Sequence, residues 1–155
     1  MHDFKYCIWA CLEEKHPWYR HNFACRQGLH VTIHTHIDTL DSASTIFNDI
    51  INNANTIKIG LDVMNPRISN DQDFNALFFP AYVLSRESRP RWWPRDAHMS
   101  FSYAYNCRRL ELRELWYIQK TIFKESFGIL NNFKLVRCTG HFNKHWLVIR
   151  EHKLR

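Results

Sequence analysis

Alternating polar and apolar residues mark two segments of the chain as β-strands. In residues 29–37, positions 29, 31, 33 and 37 are apolar, whereas positions 30, 32, 34 and 36 carry histidine or threonine. Residues 97–103 repeat the arrangement, with alanine, methionine or an aromatic residue at odd positions and histidine or serine at even ones. Because side chains of a strand point alternately to its two faces, each segment is predicted to bury one face and to present the other. The presented faces carry His30-x-Thr32 and His98-x-Ser100.

Two helices are predicted from the spacing of apolar residues. Positions 43, 46, 47, 50, 51 and 54 are apolar and lie on one face of a helix over residues 41–53, for which Asp41 or Ser42 is the predicted N-cap. A second helix is predicted over residues 106–127, with Gly128 as its stop signal.

Apolar and β-branched runs predict further strands, separated by polar segments. These strands are predicted at residues 4–12, 56–63, 74–85, 133–138 and 146–152. Pro80 favours an edge or bulge position for its strand, because proline cannot donate a backbone hydrogen bond. Residues 13–27, 64–73 and 86–95 are predicted to be loops.

The order of these elements predicts a single domain of the α+β class over residues 1–155. Each half of the chain holds one His-x-Thr/Ser strand followed directly by a helix, so the pattern resembles a duplicated unit of sheet and helix. Hydrophobic residues make up 45% of the 155 residues, with only 4 Gly and 5 Pro, which is typical of a folded globular protein and leaves enough length for a sizeable core.

Cysteine usage and hydropathy bear on the compartment. The five cysteines are odd in number, scattered and without a C-x-x-C pair, which argues against a disulfide framework or a zinc knuckle and favours a reducing compartment. The N-terminal residues lack the apolar run of a signal peptide, and no run approaches the roughly 20 apolar residues of a membrane span. The sequence therefore predicts a cytoplasmic protein without a membrane partner, in the host cytoplasm if the protein is viral.

The positive charge favours anionic partners. The formal net charge is +6, with a pI near 9.2. Residues 86–95 concentrate this character, with four arginines, two prolines and two adjacent tryptophans. In one interpretation Trp92 or Trp93 stacks on a nucleobase and Arg91 or Arg95 meets a phosphate. In the other, the tryptophans pack on the domain and the arginines are solvated.

The two histidine motifs suit phosphodiester cleavage without a metal or other cofactor. One histidine can act as general base and the other as general acid near neutral pH, while each hydroxyl donates to a non-bridging phosphate oxygen. A metal site on the strand of residues 29–37 is the alternative. It is disfavoured because imidazoles at positions i and i+4 of a strand, such as His30 and His34, are about 13 Å apart, and His34 with His36 has no evident third ligand.

The paired motifs resemble those of the two-histidine (2H) phosphoesterase superfamily, the LigT-like phosphodiesterases. The resemblance covers nearly the whole chain as an architecture and the two short motifs as residues. It implies a two-lobed fold with a central cleft and a catalytic role for His30, Thr32, His98 and Ser100. Which histidine acts as acid and which as base stays open.

Members of this superfamily act on nucleotide substrates. The resemblance implies cleavage of 2′,5′-oligoadenylate, a cyclic dinucleotide or a 2′,3′-cyclic phosphate, and some viral members use such activities to blunt nucleotide-based defence signalling. One alternative is a non-catalytic module that binds nucleotides or RNA on the same scaffold. Another is a structural protein in which both histidines are ordinary strand residues.

Overall fold

A computed structural model describes residues 5–21, 28–70, 74–105, 112–138 and 146–154. Within these ranges the chain forms eight β-strands, two α-helices and two short 3-10 helices. The strands and α-helices are β1 (Lys5–Leu12), β2 (His30–Ile37), α1 (Leu40–Asn52), β3 (Ile57–Leu61), β4 (Arg67–Asn70), β5 (Phe74–Val83), β6 (His98–Tyr105), α2 (Leu112–Lys124), β7 (Gly128–Cys138) and β8 (Leu147–Lys153). The short helices are Pro17–His21 and Arg86–Ser88.

The strands belong to one sheet, and all of its pairings are antiparallel. Its order is β1-β2-β6-β5-β3-β7-β8, and β4 pairs with β5 off this path. An additional pairing of β1 with β7 closes six of the strands into a ring. The chain is therefore of the α+β class, as predicted, and β2 and β6 are neighbouring strands of the sheet.

Both helices pack their apolar stripes into the main hydrophobic core. In α1 the buried residues are Ala43, Phe47 and Ile50. The helix begins one residue earlier than predicted, and its N-cap is Thr39, whose hydroxyl accepts a hydrogen bond from the backbone N–H of Ser42. Among the described residues, no helix has the length and apolar character needed to cross a membrane.

The second helix is shorter than predicted, and Gly128 does not end it. The helix ends at Lys124, while Gly128 is the first residue of β7, and predicted positions 106–111 lie outside the described residues. A Cβ atom at Gly128 would lie 2.6 Å from Cδ1 of Leu12 and 3.0 Å from Cζ3 of Trp18. Glycine at this position therefore permits the close approach of β7 to these two side chains.

One predicted loop contains a strand, and one proline sits inside the sheet. The strand β4 lies within residues 64–73 and pairs with β5 up to Phe78, whereas β3 pairs with β5 from Ala81 onward. The N–H of Ala81 donates to Ala97, on the β6 side of β5, so the nitrogen of Pro80 faces the opposite edge. Pro80 therefore lies between the part of β5 that pairs with β4 and the part that pairs with β3, and its carbonyl oxygen accepts a hydrogen bond from the N–H of Asp62.

Candidate active site

The pairing of β2 with β6 brings the two histidine motifs together. Val31 lies opposite Met99 in this antiparallel pair, and both side chains are fully buried in the main core. The residues on either side of each therefore present their side chains to the other face of the sheet. In the same register His30 lies beside Ser100, and Thr32 lies beside His98. All four predicted catalytic residues, His30, Thr32, His98 and Ser100, share this face.

The two histidines make the same backbone hydrogen bond. Nδ1–H of His30 donates to the carbonyl oxygen of Gly28 at 2.9 Å, and Nδ1–H of His98 donates to the carbonyl oxygen of Asp96 at 3.0 Å. Because a carbonyl oxygen can only accept, each bond places a proton on Nδ1. In the neutral form of either ring, Nε2 then carries the lone pair available for proton transfer.

The two rings differ in their exposure to solvent. His98 is exposed, whereas His30 is only 9% exposed. The pKa of His30 is lowered from its ordinary value of 6.5 to about 4, and burial of the ring is the largest cause. The hydrogen bond to Gly28 opposes this shift, and the charges of Lys134 and His98 contribute to it. His30 is therefore neutral at neutral pH, with Nε2 able to accept a proton.

An aromatic ring packs against each histidine. The Trp9 ring on β1 stacks on His30, with ring centroids 3.8 Å apart and 15° between the planes. The Phe78 ring on β5 lies 4.6 Å from the His98 ring, at a tilt of 46°. Trp9 is fully buried and is the side chain that excludes water from one face of His30.

The face that carries the motifs continues across β1 onto β7. Trp9 pairs with Thr32 on one side and with Lys134 on the other, and Cys11 pairs with His30 and Asn132 in the same way. A second hydrophobic cluster covers part of this face; it contains Cys7, Trp9, Cys11 and Val136, with Cys138, Trp146 and Val148 packed against it. Lys134 was not a sequence candidate, because its proximity to His30 depends on strand pairing across more than 100 residues.

The other histidines of β2 do not continue the row. The register of β1 against β2 shifts on both sides of Ile8, which pairs with His34, and His36 has a positive φ of 57°. Both His34 and His36 are exposed. Within the described ranges, no group of three or more histidine, cysteine, aspartate or glutamate side chains is arranged to hold a metal ion.

The arginine and tryptophan loop is divided between core and solvent. Trp93 is 8% exposed and belongs to the main core, so its ring offers no free face to a base. Trp92 is half-buried and packs edge-on against Phe133, with ring centroids 5.8 Å apart. Arg91 and Arg95 are exposed. This packing favours the interpretation in which the tryptophans stabilise the domain, while the phosphate-binding role of the arginines stays a prediction.

Comparison with known proteins adds no family to these observations. No protein-family model and no curated protein matches the chain. The resemblance to 2H phosphoesterases therefore stays a prediction from the two motifs.

The buried His30 ring predicts that acid weakens the fold. Its pKa of about 4 lies below the ordinary value of 6.5, so the unfolded chain binds more protons between these pH values, and unfolding becomes easier as the pH falls. The linkage relation gives a loss of about 2 kcal/mol in unfolding free energy between pH 7 and pH 5 from this residue. Urea denaturation at both pH values measures the total loss.

His30→Gln isolates this contribution because it removes the titrating ring and keeps a polar side chain. The loss between the two pH values is expected to be about 2 kcal/mol smaller in this variant than in the wild type. His34→Gln changes an exposed histidine of the same strand and serves as the matched control, with a wild-type loss expected. An equal loss in all three proteins would contradict the assignment.

Proposed function

We propose that this protein is a metal-independent phosphodiesterase of the 2H type, acting on 2′-linked or cyclic nucleotides by paired-histidine acid–base catalysis. The observation that carries the proposal is the arrangement of His30, Thr32, His98 and Ser100 on one face of two adjacent antiparallel strands. The identical backbone hydrogen bonds of the two histidines support it. A two-lobed, duplicated architecture with a cleft at this face belongs to the same proposal.

The proposed reaction transfers one proton at each histidine. Diagonal neighbours on adjacent strands have Cβ atoms about 7 Å apart, so a phosphate fits between the rings of His30 and His98. Nε2 of His30 accepts the proton of the attacking oxygen, which belongs to water or to a ribose hydroxyl. The new P–O bond forms as the bond to the leaving oxygen breaks, and Nε2–H of protonated His98 donates its proton to that oxygen.

The low pKa of His30 and the exposure of His98 support this division of roles. A base must be unprotonated when the substrate binds, and burial beneath Trp9 keeps His30 neutral. An exposed ring can carry a positive charge at little desolvation cost, which suits a general acid. The hydroxyls of Thr32 and Ser100 donate to the non-bridging oxygens, whose charge grows in the transition state.

The direct test is a substrate panel with EDTA present throughout. The purified protein is incubated with 2′,3′-cyclic nucleotides, 2′,5′-oligoadenylate and cyclic dinucleotides, and the products are separated by chromatography. We expect turnover of at least one class, with a rate that falls at low pH as His30 becomes protonated. Binding without product from any of them would contradict the enzyme and favour a non-catalytic nucleotide-binding module.

The cellular role proposed with this activity is the removal of a nucleotide signal. Signalling nucleotides of antiviral defence include 2′-linked and cyclic compounds of the classes in the panel. A net charge of +6 favours the association of such anions with the protein.

A further inference from the structure

A cavity with both polar and apolar walls lies close to His30. Its volume is about 280 Å³, and its walls include Cys11 and Gly28. Cys11 pairs with His30 across β1 and β2, and the carbonyl of Gly28 holds the His30 ring. Two residues of the cavity wall therefore contact or pair with His30. Ligand pockets for whole small molecules begin at about 300 Å³, so this space suits one part of a larger ligand.

Two lysines line this cavity. Lys134 reaches it from β7, and its charge also acts on His30. Lys15 reaches it from the turn after β1. The φ of Lys15 is 65°, a left-handed backbone conformation that residues other than glycine seldom adopt. Glu14 also lines the cavity, but its carboxylate pairs with Lys153 at 3.4 Å. The positive charge of the two lysines favours an anionic ligand.

A buried amide adds a second polar feature to the same wall. Asn132 lines the cavity and is 9% exposed. Its Nδ2 donates to Glu151 at 3.2 Å, whereas its Oδ1 is buried without a hydrogen-bond partner among the described residues. Buried polar atoms normally have a partner, and an amide oxygen can only accept, so a donor such as water or a ribose hydroxyl is expected beside Oδ1 rather than the phosphate itself.

We propose that this cavity binds a second phosphate group of the substrate while the scissile phosphate lies between His30 and His98. The substrate is then a nucleotide with at least two phosphates, such as a 2′,5′-oligonucleotide, and a mononucleotide 2′,3′-cyclic phosphate is a poor substrate. This inference rests on the proposed phosphodiesterase function. Of the three substrate classes in that proposal, it favours those with at least two phosphates, because the cavity carries two lysines.

The spacing across the sheet agrees with this substrate. Asn132 lies two strands from His30 in the same row, or about 10 Å between backbones. The long side chain of Lys134 can span part of the distance between the cavity and a phosphate held at His30. A nucleobase fits the walls less well, since Tyr19 is the one aromatic residue among the described residues that line the cavity, and its hydroxyl is engaged with the carbonyl of Leu12.

The test compares two substrates that differ by one phosphate. One is 2′,5′-linked diadenosine with a single internal phosphate, and the other carries an added terminal 5′-phosphate. We expect kcat/KM to be about tenfold higher for the second, because a charge-assisted hydrogen bond contributes about that factor. In Lys134→Gln the ratio of the two kcat/KM values is expected to fall to near one, mainly through KM, and in Lys15→Gln it is expected to fall part of the way.

Lys120→Gln is the matched control. Lys120 is an exposed lysine of α2 that lies over the Trp116 ring, so the variant removes the same charge from a different surface. Its ratio is expected to equal that of the wild type. Because a ratio is compared, a general change in His30 caused by losing Lys134 affects both substrates and cancels.

The outcomes separate this inference from the proposed function. Turnover of both substrates at equal kcat/KM, or a ratio unchanged in Lys134→Gln, would overturn the second phosphate site and leave the phosphodiesterase intact. A larger effect from removing an adenine than from removing the phosphate would also overturn it, in favour of a base pocket.

If no substrate is turned over, the proposed function fails, and binding still tests the cavity. Titration of His98→Ala with the two compounds, by calorimetry, is expected to give about tenfold tighter binding of the compound with two phosphates. Equal affinities would overturn the inference. If the His98→Ala/Lys134→Gln double variant binds the two compounds with equal affinity, that result would support the inference.

Discussion

His98→Ala is expected to lower kcat for phosphodiester cleavage about a thousandfold and to leave the fold intact. The imidazole is exposed, and its ring contacts Phe78 at the surface of the sheet, so its removal leaves no buried void. A positioned general acid contributes roughly two to four orders of magnitude in rate, which sets the size of the effect. Initial rates at saturating substrate, together with a thermal melt, measure both parts of this prediction.

His30→Ala is expected to reduce kcat by a similar factor through loss of the base. A substrate with a p-nitrophenolate leaving group then shows which histidine is the acid and which the base, because this group departs without a proton. On this substrate His98→Ala is expected to recover most of its activity, because the acid is no longer needed, whereas His30→Ala is expected to stay inactive. Recovery in His30→Ala instead would reverse the two roles.

His34→Ala supplies the matched control for both variants. His34 is an exposed histidine on the same strand as His30, beyond the point where the register shifts. Its removal is expected to leave kcat within about twofold of the wild type, since His34 is exposed and is not one of the four motif residues. A large loss in His34→Ala, or full activity in either motif variant, would contradict the proposed mechanism.

The parts of the site that could be predicted from the sequence are those encoded in a local pattern. Apolar residues at Val31 and Met99 place their polar neighbours on the opposite face of each strand, and this alternation needs no knowledge of the rest of the fold. The same alternation predicts both motif strands and the pairing of a histidine with a hydroxyl two residues later.

The properties that distinguish the two histidines come from distant parts of the chain. Trp9 lies on β1 and Lys134 on β7, and both reach His30 only through strand pairing. A run of mostly apolar residues such as β1 hides which face each side chain takes, so the stacking of Trp9 on His30 had no local signal. The strand β4 was missed for a related reason, since it forms by pairing with β5 despite a sequence rich in turn residues.

Trp9→Leu is expected to destabilise the protein by about 3 kcal/mol and to impair catalysis at the same time. Trp9 is fully buried and contacts His30 on one side and Trp146 on another, with ring centroids 5.8 Å apart in the second pair. Truncating a buried tryptophan costs about 3–5 kcal/mol, and leucine refills part of the volume. Without the stacked ring, water reaches His30 and its pKa rises, so the acidic limb of the pH–rate profile is expected to move to higher pH.

Trp9→Phe distinguishes the contribution of the stacked ring from that of the indole nitrogen. Phenylalanine can still stack on His30, and it removes Nε1–H, which is buried without a hydrogen-bond partner among the described residues. The loss of unfolding free energy is therefore expected to be less than half that of Trp9→Leu, with the acidic limb near its wild-type position. Urea denaturation and pH–rate profiles of the three proteins measure these differences. Equal shifts of the acidic limb in both variants would mean that ring stacking does not lower the pKa of His30.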